Sequence, residues 1–354
     1  MCSSTWEQDW GTEVPQLTSQ FRDALRAIEP TAADRDNAPK AHNEVREALL
    51  ADSTLRDWGL DPVLIGSYKR HVSIRRIKDV DVFGRLTDVP RDIAPTALLN
   101  RFEKVLTETF GNERIERQAR SLQVAFPELD GLYVDAVPAR PWTSPYGESA
   151  WQLPKRAEGD WQATNPERLT ELTTEMNEQF DKLYVPVVKL LRQTRRALMG
   201  PKKPGGLTIE ISALLAFQSG AVSGTTVGEV YVSALKTTGE VLYNAFVLGH
   251  DLADPTLTGE VLYVRGDDAD KKALARAFVD AGARAQTAID AADDEKCVAA
   301  MTFRTILGRA VDDQGDQDYV FPTPDDCNVD GSRKSFARVR AGDSQIAAGD
   351  RRFG

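Results

Sequence analysis

The sequence is poor in the residues that build disulfide frameworks and histidine-based sites. It contains three cysteines and three histidines among 354 residues, and neither set is clustered. Scattered cysteines exclude a disulfide-rich scaffold and give no paired spacing for structural zinc, so we expect reduced thiols. Scattered histidines give little support to a histidine metal site or to a serine–histidine–aspartate triad.

Long apolar runs are also missing. No stretch approaches the roughly 18 residues that a membrane span needs, and residues 1–10 lack the basic start and apolar stretch of a secretory signal. We therefore expect a cytoplasmic protein with no membrane contact. The formal net charge of -10 argues against long nucleic acid as a partner, because proteins that bind it usually present a broad basic surface to the phosphates.

Apolar periodicity divides the chain into three parts. We expect a mixed α+β part over residues 1–160, a helical domain over residues 161–310 and a loosely ordered tail over residues 311–354. We expect two helices before the first strand, and residues 138–165 lack periodicity and resemble a long irregular connection. The remaining predicted helices cover residues 93–110, 166–199 with a break at Pro186, 207–220, 226–248, 269–292 and 294–307. Short strands are predicted over residues 114–117, 122–126 and 132–137.

The most informative stretch reads LIGSYKRHVSIRRIKDVDVF and covers residues 64–83. A short apolar strand leads into Gly66 and Ser67, where glycine permits a sharp turn whose backbone N–H groups can approach an anion. On the following strand, alternation places Asp79 and Asp81 on one face, because successive side chains point to opposite sides. Two neighbouring carboxylates repel unless a cation lies between them, and Mg²⁺ prefers such oxygen ligands together with substrate phosphates.

A third acid interrupts the apolar run LYVDAV. Asp135 is costly in such a strand unless something compensates its charge. A structural salt bridge to a nearby arginine is one explanation. The other is that Asp135 lies beside Asp79 and Asp81, so that three carboxylates hold two cations for nucleotidyl transfer.

Basic residues crowd the segment between the glycine turn and the paired acids: Lys69, Arg70, Arg75, Arg76 and Lys78. They favour the entry of a triphosphate at this place, although a solvated basic loop would have the same composition.

The order of these motifs resembles the polymerase-beta-like nucleotidyltransferase superfamily, whose signature is Gly-Ser, then Asp-x-Asp, then a lone Asp on a later strand. Within it, the chain looks most like the CD-NTases, or SMODS proteins, of bacterial CBASS antiphage systems. The runs GSYKR, DAVPA, VVKLLR and ADPT carry this closer resemblance. It implies a polymerase-beta-like core with a mixed sheet, a C-terminal helical domain and an active site in the cleft between them.

The resemblance also implies roles for individual residues. Asp79, Asp81 and Asp135 would be catalytic and bind two Mg²⁺ ions, with Mn²⁺ as a substitute, and nucleoside triphosphates would be the substrates. A phosphate-binding group is expected from the turn and from a helix of the second domain: Gly66, Ser67, Arg70, Lys189 and Arg192.

The implied function is the synthesis of a cyclic di- or trinucleotide that activates a CBASS effector. Gly354 resembles a terminal glycine that a ubiquitin-transfer-like enzyme joins to other molecules, although a merely disordered end fits equally well. Two alternatives stay open: a nucleotidyltransferase that modifies RNA or protein, and a nucleotide-binding module without turnover.

Overall fold

The structure is a computed structural model that describes residues 17–155, 159–311 and 317–335. Its first part alternates helices and strands. The helices are α1 (Thr18–Ile28), α2 (Ala32–Ala51), α3 (Ser53–Asp57), α4 (Gly66–Lys69) and α5 (Pro95–Phe110), and the strands are β1 (Leu60–Ile65), β2 (Asp79–Leu86), β3 (Ile115–Arg117), β4 (Leu122–Phe126), β5 (Leu132–Thr143), β6 (Ser149–Lys155) and β7 (Asp160–Thr164). A capping box between Thr31 and Asp34 starts α2.

These strands form one mixed sheet of seven strands in the order β1-β2-β5-β4-β3, with β6 and β7 continuing from β5. Only β2 and β5 are parallel among the paired strands of this sheet. One face of the sheet packs against α2 and α5 through a buried apolar cluster that includes Val80, Val82, Val134 and Phe102. The fold is therefore α+β with a mixed sheet, as expected.

The expectation of an irregular connection over residues 138–165 was wrong. The second half of β5 and all of β6 and β7 occupy this segment, and β6 pairs with both neighbours. Prolines obscured the strands, because proline lacks the N–H that a central strand needs. Pro138 lies where β5 changes partner, between its last pair with β4 at Ala136 and its first pair with β6 at Arg140.

The second part of the chain is helical. It contains α6 (Pro166–Gln179), α7 (Tyr184–Met199), α8 (Gly206–Gln218), α9 (Val227–Phe246), α10 (Asp268–Ile289) and α11 (Lys296–Leu307), followed by the two short paired strands β8 (Arg309–Val311) and β9 (Gln317–Tyr319). The predicted break at Pro186 was misplaced, because α6 ends at Gln179 and α7 begins at Tyr184, so Pro186 lies in the first turn of α7, where proline is tolerated. A second apolar core joins these helices, and it includes Phe21 and Ile28 of α1. The first helix thus packs with the helical part.

None of the helices in the described ranges is long and apolar enough to cross a membrane.

Part of the predicted tail is packed. Val320 and Phe321 are buried in the helical core, and Cys297 of α11 forms a disulfide with Cys327. The expectation of reduced thiols was therefore wrong for this pair. The sequence hides the pairing because the two cysteines are 30 residues apart, whereas the returning chain brings their Cα atoms to 5.4 Å.

We expect Cys297→Ser to lower the free energy of unfolding by about 3 kcal/mol under oxidising conditions, because the disulfide restricts a loop of this length in the unfolded chain. Chemical denaturation with and without a reductant measures the effect. Reduction should lower the stability of the wild type toward that of the variant and leave the variant unchanged. Equal stability of the two oxidised proteins would contradict the disulfide.

Candidate active site

Three carboxylates meet on the sheet face opposite the α2 and α5 core. Asp79 and Asp81 alternate along β2 with Val80 and Val82, which are fully buried on the other side. In the parallel register between β2 and β5, Asp81 lies directly opposite Asp135. Residues opposite each other in a parallel pair point to the same face, so the structure brings the three predicted acids together.

Gly66 packs against this group. It has φ +75, and a Cβ built on it would lie 2.8 Å from Cγ of Asp81 and overlap one of the carboxylate oxygens. Only glycine combines that backbone conformation with so close an approach. The next residue, Ser67, places its Oγ 3.0 Å from Oγ of Ser73. The turn and the acids therefore form one site.

The acids are in an unfavourable electrostatic environment. Burial raises the pKa of Asp81 to about 7, and the negative charges of Asp79 and Asp135 act in the same direction. Burial and the charge of Asp79 raise the pKa of Asp135 to about 6. Within the described part of the chain, the side-chain carboxylate of Asp81 accepts no hydrogen bond. A divalent cation would remove this repulsion.

Gln123 is a site residue that the sequence interpretation missed. It lies opposite Asp135 in the β4–β5 register, and its Nε2 donates to Oδ1 of Asp135 over 3.5 Å. This contact and the charge of Arg265 both lower the pKa of Asp135, against the larger effect of burial. The signal was present, because alternation on β4 points Gln123 to the same face as the acids.

Arg70 and Arg192, two of the predicted phosphate ligands, share a carboxylate. Arg70 donates from Nε (3.0 Å) and Nη2 (2.7 Å) to Oε2 of Glu210, and Arg192 forms an ion pair with Oε1 of the same residue. Glu210 was also missed. It is the one acid in the apolar helix α8, the same signal that drew attention to Asp135.

Lys189, the third predicted cation, is held by the residue that directly follows α1. Its Nζ donates to both oxygens of Glu29, at 2.6 and 2.8 Å. Phosphate binding by Arg70, Lys189 and Arg192 remains a prediction, and it would require these cations to share or exchange their carboxylate partners.

The donor set fits a hard divalent cation. Three carboxylates converge on one face, and carboxylate oxygens are the ligands that Mg²⁺ prefers. In the described ranges, no group of three or more histidine, cysteine, aspartate or glutamate side chains is arranged so that the group could hold a metal ion by itself. Mg²⁺ usually binds through one or two carboxylates and completes its shell with water and substrate phosphates.

The raised pKa values predict a pH-dependent stability in solutions without divalent cations. The folded state binds the Asp81 proton more tightly than the unfolded state, whose carboxyl has a pKa near 3.8. This stabilisation is fully present below that value and is lost as the pH rises through about 7. Denaturant titrations in EDTA should show the free energy of unfolding falling across this window, and Asp81→Asn should flatten the slope. An equally steep slope in the variant would contradict the assignment.

Comparisons with known proteins agree with this geometry. Residues 16–177 match the family model of the Second Messenger Oligonucleotide or Dinucleotide Synthetase domain, abbreviated SMODS. The chain is 27% identical over 310 residues to a cyclic AMP-AMP-AMP synthase of Acinetobacter sp., covering 84% of this chain and 86% of the relative.

Two solved structures show the same fold. CdnC of E. coli MS115-1, solved with ATP, has a TM-score of 0.61 at 20% identity and covers 83% of this chain and 98% of its own. The CD-NTase CdnG of Bradyrhizobium diazoefficiens, solved with GTP, has a TM-score of 0.62 at 13% identity and covers 82% of this chain and 95% of its own.

The mixed sheet, the glycine turn and the helical domain are those of a nucleotidyltransferase. More narrowly, the chain is similar to the CD-NTases in fold, and residues 16–177 match the SMODS domain.

Proposed function

We propose that this enzyme joins nucleoside triphosphates into a cyclic di- or trinucleotide in the cytoplasm. The observation that carries the proposal is the in-register pairing of Asp81 with Asp135, next to Asp79 and against the Gly66 turn. The similarity to a cyclic AMP-AMP-AMP synthase supports a cyclic product.

Each transfer exchanges one bond for another. A ribose hydroxyl loses its proton and bonds to the α phosphorus of a second nucleotide, the bond from that phosphorus to the bridging oxygen breaks, and pyrophosphate leaves. Asp79, Asp81 and Asp135 would hold two Mg²⁺ ions, or Mn²⁺ in their place. Bound there, the ions would lower the pKa of the hydroxyl and would neutralise the charge of the departing pyrophosphate.

The protein's own groups would bind and orient the nucleotides. The Gly66–Ser67 turn lies against Asp81 and would hold the β and γ phosphates of the donor. Lys189 and Arg192 lie on one face of α7, because residues three apart on a helix are neighbours. From there they would contact the triphosphate from the helical side of the cleft.

Further partners are suggested by the resemblance to the CD-NTases and belong to the same proposal. The cyclic product would activate the effector of a CBASS system. Conjugation of Gly354 by a ubiquitin-transfer-like enzyme concerns a residue that lies outside the described part of the chain.

A product assay tests the proposal. Purified protein is incubated with Mg²⁺ or Mn²⁺ and all four nucleoside triphosphates, and phosphatase-resistant products are identified by mass. We expect a cyclic oligonucleotide, and omission of single nucleotides then identifies its bases. A label transferred to RNA or protein would favour the first alternative. Nucleotide binding without any product would favour the non-catalytic module.

A further inference from the structure

The guanidinium of Arg192 lies flat against a glycine. A Cβ built on Gly206, the first residue of α8, would lie 2.8 Å from Cζ of Arg192 and 2.9 Å from its Nη2. These distances are shorter than real Cβ atoms show, so Arg192 can occupy this place only while residue 206 is glycine. The requirement is steric, because Gly206 is helical and does not need the left-handed region.

Glu210 fixes the same guanidinium from the next turn of α8. It stands four residues after Gly206, on the same helix face, and forms an ion pair with Arg192 through one oxygen while Arg70 binds the other. Gly206 therefore leaves room for the Arg192 guanidinium, and Glu210 holds it there by an ion pair.

The group carries more positive than negative charge. Two guanidiniums share one carboxylate. All three groups are largely buried, because the side chains of Arg70 and Glu210 are only 3% and 5% exposed and that of Arg192 is 17% exposed. Within the described residues, the buried Nε of Arg192 has no hydrogen-bond partner. A surplus of buried positive charge is costly without a counterion, so a bound anion would stabilise these three side chains.

The anion's position is indicated by the acids nearby. Arg70 directly follows the α4 turn that begins at Gly66, and Gly66 packs against the carboxylate of Asp81. The guanidinium of Arg192 therefore lies close to the carboxylates that are proposed to hold the cations, which is where the triphosphate would bind.

We propose that Gly206 and Glu210 are positioning residues that hold the guanidinium of Arg192 for contact with the nucleoside triphosphate. The proposal rests on the proposed function for the identity of the anion. We therefore expect an added methyl group at residue 206 to weaken nucleotide binding only by displacing Arg192.

A double-mutant cycle tests this expectation. Binding of the non-reacting analogues α,β-methylene-ATP and α,β-methylene-GTP is measured by calorimetry with Mg²⁺ for the wild type, Gly206→Ala, Arg192→Ala and the double variant. Loss of a charge-assisted contact should weaken binding about tenfold in each single variant. In the Arg192→Ala background, Gly206→Ala should change affinity by less than about twofold, because effects on one contact are not additive.

The neighbouring glycine gives a matched control. A Cβ on Gly205 would have only an ordinary contact, 3.9 Å from Nζ of Lys203, so Gly205→Ala should bind the analogues like the wild type. Thermal denaturation checks that every variant is folded.

Two results would overturn the proposal: equal weakening by Gly206→Ala in both backgrounds, or unchanged binding by Gly206→Ala alone. A wild type that binds neither analogue would overturn it as well. A wild type that binds them but forms no product from natural triphosphates would refute the proposed function only, since the cycle measures binding without turnover.

Discussion

Replacing Asp79 and Asp81 together by asparagine is expected to abolish product formation while the protein stays folded. The change removes two proposed ligands of the divalent cations and with them about 4 kcal/mol or more of transition-state stabilisation, which corresponds to a loss of roughly 10³-fold or more. The fold should be at least as stable as the wild type without divalent cations, because Asp79 raises the pKa of Asp81 and the double change removes their repulsion. Product yield by mass spectrometry and a thermal melt measure the two effects.

Asp92→Asn is the matched control. Asp92 is an exposed acid on the loop after β2, and its replacement makes the same kind of change once, outside the cluster. It should leave product formation unchanged. Retained synthesis in the double variant would refute the metal assignment, whereas an unfolded double variant would contradict the claim that these acids repel one another.

Gly66→Ala is expected to lower product formation by about 10²-fold, because a displacement of about 1 Å at a reacting centre can cost that much. The added methyl group would overlap the carboxylate of Asp81, so either the turn or the acid must move. The left-handed backbone adds a cost of about 1–2 kcal/mol in stability. Initial rates and denaturant titrations separate the two effects.

Gly131→Ala isolates the backbone contribution. Gly131 has φ +67, and a Cβ built on it meets no atom within 4 Å. It should therefore lose stability to a similar extent and keep its activity. If Gly66→Ala retained wild-type activity, the close approach between the turn and Asp81 would have no part in the reaction.

Local patterns predicted the centre of the site because they act over a few residues. Alternation along a strand placed Asp79 and Asp81 on one face, and the cost of an unpaired charge singled out Asp135 in an apolar run. The parallel β2–β5 register then brought Asp135 opposite Asp81. Helix boundaries followed apolar periodicity in the same way, including α5 and α8 to α11.

Features that depend on distant segments could not be predicted. The partners of Arg70 and Lys189 are Glu210 and Glu29, which lie far away in the chain, and no local pattern states such a pairing. The Cys297–Cys327 disulfide depends in the same way on the path of the returning chain. The continuation of β5 past Pro138 could not be predicted, because proline is acceptable there only through a change of strand partner, which the sequence does not show.

The central claim is that Asp79, Asp81 and Asp135 together hold divalent cations opposite the Gly66 turn. Anomalous diffraction from crystals grown with Mn²⁺ and α,β-methylene-ATP measures this directly. We predict manganese peaks within coordination distance of the three carboxylates, lost when Asp79 and Asp81 are replaced by asparagine. Manganese bound elsewhere, or peaks that persist in the double variant, would contradict the account.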